Sequence, residues 1–281
     1  MEDGSGGRPP PGGPEQRRRY LPLAASLLPS LALASPLPPH LLCPRVLPYD
    51  TAVFPFRAAA AAVLGVGEEE LASLHKTQEG RQVLEQEKMG AARRRRGKLP
   101  PYLRQWAAAR GSPEMASFDS ILHDFVKTVV AGNMVEEERE EREVAAVAYQ
   151  REPTFRVVLP SGQPNGYLHC DADYHHPPSE VNWWIPLTPV SGCSSLYTES
   201  APGRGDFAPL TLDYGQAFRF YGNLCQHYAE PNISDTTRVS FDLRVVSLEH
   251  HSDEWRDRLG RETVFRVGEY YTRVGEEEPT G

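Results

Sequence analysis

No two cysteines form a C-x-x-C pair, and four cysteines (Cys43, Cys170, Cys193, Cys225) over 281 residues are too sparse for a disulfide framework. That usage fits a reducing compartment, and cytoplasmic is the expected location. Also missing is an uninterrupted apolar run of about twenty residues, the length a membrane-spanning helix needs. The apolar stretch Leu21–Leu42 is broken by Pro22, Pro29, Pro36, Pro38 and Pro39, so no membrane span is expected. Cationic excess is lacking too: the formal net charge is −8, which disfavours a polyanion-binding surface, and no nucleic-acid partner is expected. The one dense basic run, Arg93-Arg94-Arg95-Arg96-Gly97-Lys98, reads as a solvated helix end or loop. Arg17-Arg18-Arg19 ahead of an apolar stretch has the outline of a targeting peptide, opposed by Glu2, Asp3 and Glu15, and leaves an organellar address open. There is no internal repeat.

What is present is an ordinary globular composition, 40% hydrophobic and 24% charged, long enough for one sizeable core with trimmings or two small domains. Residues 1–45 are Pro- and Gly-rich and read as a disordered leader. Residues 46–148 carry helical patterns. Ala58–Val66 is a strong helix former, and Glu68–Met89 reads as one polar-rich helix that Leu99-Pro100-Pro101 stops. A third helix has Ser117 as its N-cap, an apolar stripe through Ile121, Leu122, Phe125, Val126, Val129 and Val130, and a stop at Gly132-Asn133. His123 and Asp124 fall on its surface. Glu136–Glu143 is a charge run, most simply a solvated helical face.

After Tyr149 the texture changes to short extended segments broken by turn residues. Candidate strands are 154–159, 167–171, 181–187, 194–199, 210–212, 216–221, 225–229 and 237–246. Regular spacing of short strands argues for a sandwich or barrel. The expected fold is mainly β with an α-helical N-terminal layer: a double-stranded β-helix (jelly-roll or cupin-like) barrel over residues 149–248, braced by residues 46–148, with a C-terminal extension at 249–281.

Three features within Tyr167–Val246 carry chemistry. His169-Cys170-Asp171 is an H-x-D pair, which places an imidazole and a carboxylate on one face of an extended segment. His227 lies 58 positions on and completes a 2-His-1-carboxylate set, the donor group that holds ferrous iron with open positions for co-substrate and oxygen. Arg238 follows eleven residues later in an R-x-S pair with Ser240, a guanidinium fork suited to a distal carboxylate. Each element alone is weak, since the chain has nine histidines; their order together is specific. Nearby His175, His176 and Glu180 offer a cupin-like set, but such sites begin with H-x-H. Asp173 would need a bulge to replace Asp171. Asn182 and Trp184 share a strand face, and Asn182 can donate to a co-substrate oxygen or be satisfied by backbone. Arg156, Tyr167, Tyr174 and Trp184 are candidates for the substrate pocket, with Arg204 in the loop Pro202-Gly203-Arg204-Gly205-Asp206. Trp183, Ile185 and Leu187 are expected between sheet and helices.

The run HCDADYHHPPSEVNWWIPLTPVSGCSSLYTESAPGRGDFAPL, then GNLCQH, then TTRVSFDLRV resembles the iron(II)/2-oxoglutarate-dependent dioxygenase superfamily, and within it the streptomycin-biosynthesis StrG-type proteins, over roughly Tyr149–Val246. The resemblance implies His169, Asp171 and His227 as iron ligands and Arg238 with Ser240 on the C5 carboxylate of 2-oxoglutarate. It implies Fe(II), 2-oxoglutarate and O2 as cofactor and co-substrates. Hydroxylation of a small molecule is then the expected reaction, with 2-oxoglutarate decarboxylated to succinate. The rival readings are a non-catalytic β-helix binding module and a cupin-type metalloenzyme that does not use 2-oxoglutarate.

Overall fold

The computed structural model describes residues 35–88, 100–135, 146–163, 165–257 and 259–275. Most of the leader, the basic run at 93–98 and the acidic run at 136–143 fall outside them. Among the described residues no helix is long and apolar enough to cross a membrane, and all four cysteines are free.

A short turn of helix, α1 (Pro39–Leu42), leads into strand β1 (Arg45–Pro48), and helix α2 (Phe56–Leu64) follows. The single helix expected over 68–89 is two elements. A 3-10 segment (Glu68–Lys76) ends at Thr77, whose Oγ1 accepts from the Gly80 amide at 3.0 Å and so caps α3 (Gln78–Lys88). A Cβ at Gly80 would lie 1.9 Å from the Leu74 carbonyl oxygen, so only glycine lets the second element fold back on the first. Helices α4 (Pro101–Ala108) and α5 (Pro113–Phe125) complete the layer. The N-cap of α5 is Ser112 rather than Ser117: its side chain accepts from the Met115 amide, with Pro113 and Glu114 in the first turn. Helical turns continue through Asn133.

Every ladder is antiparallel. The larger sheet runs β1–β7–β4–β9–β2–β10, with β3 paired to the first half of β9 and β2 to its second half. Its members beyond β1 are β2 (Val147–Gln150), β3 (Thr154–Val158), β4 (Glu180–Pro186), β7 (Gln216–Phe220), β9 (Arg238–Ser247) and β10 (Tyr271–Arg273). The smaller sheet is β6 (Ala208–Pro209), β5 (Leu196–Thr198) and β8 (His227–Ala229). Strands β1, β2 and β10 had no counterpart among the expected strands, and in place of the expected strand 210–212 the chain has β6 at 208–209 and an isolated bridge from Leu212 to Val190. The stretch expected as a strand over 167–171 is instead an isolated bridge, His169 to His227, followed by a 3-10 turn over Asp171–Tyr174. The protein is thus mainly β, in two antiparallel sheets with a helical layer; among the described residues no ladder closes the two sheets into one barrel.

Period-two alternation sorts the central strands into two faces. Val181, Trp183 and Ile185 of β4, with Leu187 just beyond it, join Val239, Phe241, Leu243 and Val245 of β9 in the main core. Phe56 of α2 and Phe118 of α5 meet the Phe241 ring at 5.0 and 5.4 Å, and Trp106 of α4 stacks on Phe155 of β3 at 3.7 Å. Each such buried ring contributes about 2–3 kcal/mol by area, with ~1 kcal/mol more for ring geometry. The opposite face presents Asn182 and Trp184 of β4, and Arg238, Ser240, Asp242 and Arg244 of β9. It looks toward the smaller sheet across a second apolar cluster of Trp184, Val190, Leu212, Phe218 and Phe220. The cleft lies there.

Candidate metal and anion site

His169 and His227 are cross-strand partners: each amide donates to the other's carbonyl, at 3.1 and 2.8 Å, and their rings lie 4.3 Å apart. Each ring is oriented from behind. His169 Nδ1 meets the Tyr167 carbonyl at 2.7 Å, and His227 Nδ1 meets the Cys225 carbonyl at 3.0 Å. A carbonyl can only accept, so both Nδ1 atoms carry a proton, which in the neutral ring leaves Nε2 as the atom offered to a metal. Those Nε2 atoms point at one carboxylate oxygen, Asp171 Oδ1, at 3.9 Å from His169 and 3.6 Å from His227.

Asp171 comes from the start of the 3-10 turn, not from a strand. The turn is pinned by Asp173, whose carboxylate accepts from the Cys170 amide at 3.0 Å and is not a member of the three-donor cluster. The other Asp171 oxygen, Oδ2, accepts from Asn182 Nδ2 at 2.7 Å and Arg244 Nε at 3.1 Å. One oxygen is therefore occupied by the protein and one is left for a ligand. Burial alone would raise the Asp171 carboxyl; the Arg244 guanidinium, helped by the Asn182 amide, holds it well below the usual carboxylate range. Burial and the neighbouring His169 push the His227 imidazole down to about 4, so it is neutral at neutral pH. Ligand atoms of His169, Asp171 and His227 all lie within 4.8 Å of one another. Two imidazoles and one carboxylate oxygen fit a divalent metal held by three protein donors, with coordination positions to spare.

Asn182, read as a donor to a co-substrate oxygen or as satisfied by backbone, lines the cleft, donates to Asp171 through Nδ2, and its Oδ1 accepts from the Gly222 amide at 3.1 Å. Position 222 has room for nothing more than hydrogen, since a Cβ there would stand 2.6 Å from Asn182 Oδ1. Arg244, Asp242 and Gly222 were not expected as site residues. Arg244 is shared between Asp171 and Asp242, its NH1 donating to Asp242 Oδ2 at 3.1 Å, and Arg156 Nε donates to Asp242 Oδ1 at 2.7 Å. The signal for Asp242 and Arg244 was the continued alternation of RVSFDLRV beyond R-x-S.

Arg238 is buried at 4% exposure, and among the described residues no carboxylate forms an ion pair with it; Asp242 acts on it only from farther off. Its NH1 makes two long 3.3 Å contacts to the Ser194 and Ser195 carbonyls, while Nε has no partner. Burial, together with the Arg156 guanidinium, pushes its pKa down to about 9. Ser240 Oγ, two residues on along the same face, is also buried without a partner. Orphaned buried donors of this kind are costly unless an anion completes them. Arg238 lines the same cleft as His169, His227, Asn182 and Arg244.

The substrate candidates divide. Arg156 and Trp184 line the cleft. Tyr167 and Tyr174 are mostly exposed; Tyr174 packs edge-on to the His169 ring at 5.2 Å. Arg204 is solvent-facing, 3.5 Å from Asp206, and is not among the cleft-lining residues. The cupin-like set is dispersed as well: His176 Nδ1 lies 2.7 Å from Glu180, which also receives the Tyr271 hydroxyl, and neither joins the three-donor cluster.

The chain is 37% identical over 132 residues to streptomycin biosynthesis protein StrG of Streptomyces griseus, a match covering 47% of this chain and 63% of that protein. The resemblance read from the sequence is borne out by that relative, although the chain matches less than two thirds of its length. No protein-family model matches. Solved structures with low overall similarity include a non-haem monooxygenase, ThoJ, in complex with nickel (13% identity, 74% of this chain and 75% of that one, TM-score 0.39). Another is the non-haem alpha-ketoglutarate-dependent carbocyclase SnoK from nogalamycin biosynthesis (15% identity, 83% and 92%, TM-score 0.38).

Proposed function

We propose that the protein is a non-haem iron(II)/2-oxoglutarate-dependent oxygenase acting on a small molecule, built on a double-stranded β-helix formed by the two facing sheets. The observation that carries this reading is the pairing, in one cleft, of the three-donor cluster with a buried arginine that forms no ion pair among the described residues. His169, Asp171 and His227 would hold the metal. Bound iron would supply oxygen activation coupled to decarboxylation of 2-oxoglutarate to succinate and CO2, with one oxygen atom of O2 entering a substrate C–H bond and the other entering succinate.

The chain's own residues do the positioning. Asn182 and Arg244 fix the direction of Asp171 and leave Oδ1 as its ligand atom. The Tyr167 and Cys225 carbonyls fix the two imidazole tautomers. Arg238 and Ser240 supply donors for the C5 carboxylate of 2-oxoglutarate, and a guanidinium in that place keeps a fork that lysine lacks. Trp184, Phe218 and Phe220 exclude water from one wall. The relative's role in making streptomycin, a small molecule, is consistent with a small-molecule substrate here.

The test is succinate formation by purified protein loaded with ferrous iron under nitrogen, given 2-oxoglutarate and then air, with His227→Ala and Arg238→Ala in parallel. The reading expects wild type to release succinate and both variants to lose it. Tight iron binding without any consumption of 2-oxoglutarate would overturn it.

A further inference from the structure

The charges facing the cleft do not cancel. They are three guanidiniums, Arg156, Arg238 and Arg244, against two carboxylates, Asp171 and Asp242. On the iron and 2-oxoglutarate reading above, the divalent metal and the dianionic co-substrate neutralise each other, and with neutral histidines the loaded site keeps one positive charge in excess. In a cleft partly shielded from water that excess is not fully screened.

The three arginines are not equivalent. Arg244 is enclosed by Asp171, Asp242 and Gln150. Arg238 is buried and assigned to the co-substrate. Arg156 uses only Nε, donating to Asp242 at 2.7 Å, and its side chain stays 42% exposed on the cleft wall. Its two terminal amino groups have no partner among the described residues. Arg156 is the leading counter-charge of Asp242, because Arg244 is shared with Asp171. That contact also locks Nε and presents the remaining fork in a fixed direction. Arg156 lies on β3, opposite Ser240 in the ladder and on the other side of β9 from Asn182 and Trp184. It therefore borders the space beside the line from metal to Arg238. Tyr228 and Ala229 of the facing sheet form part of the opposite wall.

We propose that the prime substrate is an anionic small molecule, whose carboxylate, phosphate or sulfate group is received by the terminal amino groups of Arg156. A singly charged anion cancels the excess, and a cationic substrate is rejected by it.

The experiment uses the full chain loaded anaerobically with ferrous iron and 2-oxoglutarate, and inorganic phosphate as the probe, titrated by calorimetry. Arg156→Gln removes the charge; Arg156→Lys keeps it, and melting curves confirm that both variants fold. Phosphate affinity is expected to fall roughly tenfold or more in Arg156→Gln and to be largely retained in Arg156→Lys. The loss for phosphate is expected to exceed any loss for 2-oxoglutarate several-fold. Equal losses for the two ligands would assign Arg156 to the co-substrate and overturn the proposal, as would phosphate binding indifferent to Arg156 or absent from wild type. If wild type fails to bind 2-oxoglutarate, the oxygenase reading falls. The proposal is then judged on the metal-loaded protein alone, where Arg156→Gln must still remove one phosphate equivalent.

Discussion

Gly222→Ala reaches the metal cluster without touching any of the three donors. The added Cβ would lie 2.6 Å from Asn182 Oδ1, 2.7 Å from its Cγ and 2.8 Å from its Nδ2, all inside van der Waals contact. Asn182 is 2% exposed and cannot retreat toward solvent. If it shifts, Asp171 Oδ2 loses a 2.7 Å bond and the Gly222 amide loses a 3.1 Å acceptor. Overpacking of this kind costs about 1–3 kcal/mol, and each orphaned buried polar group a further ~1–3 kcal/mol. The expected destabilisation is on the order of 2–5 kcal/mol, with metal affinity down by about 10–100-fold because the carboxylate is no longer aimed. Urea denaturation and a ferrous or cobalt titration read the two effects separately. Gly132→Ala is the control: nothing lies within 4 Å of its Cβ. Asn182→Ala and Gly222→Ala should be strongly non-additive, since both act through one amide. A Gly222→Ala protein with wild-type melting and wild-type metal affinity would refute the reasoning.

The apo protein should lose stability as pH falls from about 6.5 toward 4, because His227 is held neutral when folded, with its pKa lowered to about 4, while the unfolded chain protonates it near 6.5. The loss is on the order of 2–3 kcal/mol, and a denaturation series over that window on wild type and His227→Asn checks it: the slope should flatten in the variant. Arg238→Met should leave the apo protein as stable as wild type or slightly more so, since it removes a buried unpaired charge, while 2-oxoglutarate affinity falls by about 100-fold or more. Melting curves and anaerobic calorimetry decide it. Trp106→Ala should cost about 3–5 kcal/mol through loss of the stack on Phe155, with metal affinity unchanged, because that ring packs on the helical side of the sheet.

Much of the site was legible because its chemistry repeats along the chain. In RVSFDLRV every second residue is apolar and packs on the helical side, and the residues between are Arg238, Ser240, Asp242 and Arg244 of the polar face. Reading that alternation past Ser240 would have reached Asp242 and Arg244. The H-x-D pair was read through strand geometry, whereas Asp171 reaches the histidines from a 3-10 turn. Asp173 sets that turn by holding the Cys170 amide, and its carboxylate looks in sequence like a rival ligand. The role of Gly222 depends on Asn182, forty positions away, and no local pattern announces it. Strands β1 and β10 are short edge members and β2 a short strand beside β10, and the existence of each rests on partners far along the chain: Arg45–Pro48 pairs with Gln216–Arg219, and Tyr271–Arg273 with Ala148–Gln150. Local propensity is silent there. The helix break at Thr77 was missed because its Oγ1 cap and Gly80 sit inside an otherwise helical pattern.

The central claim is that one cleft binds a metal and 2-oxoglutarate together. Calorimetric titration of 2-oxoglutarate into ferrous-loaded protein under nitrogen, repeated on metal-free protein and on Arg238→Met, tests it most directly. The account predicts one equivalent bound by the loaded wild type, with binding strongly weakened when either the metal or the Arg238 guanidinium is removed. Metal-loaded wild type that takes up no 2-oxoglutarate, or takes it up equally well without Arg238, would contradict it.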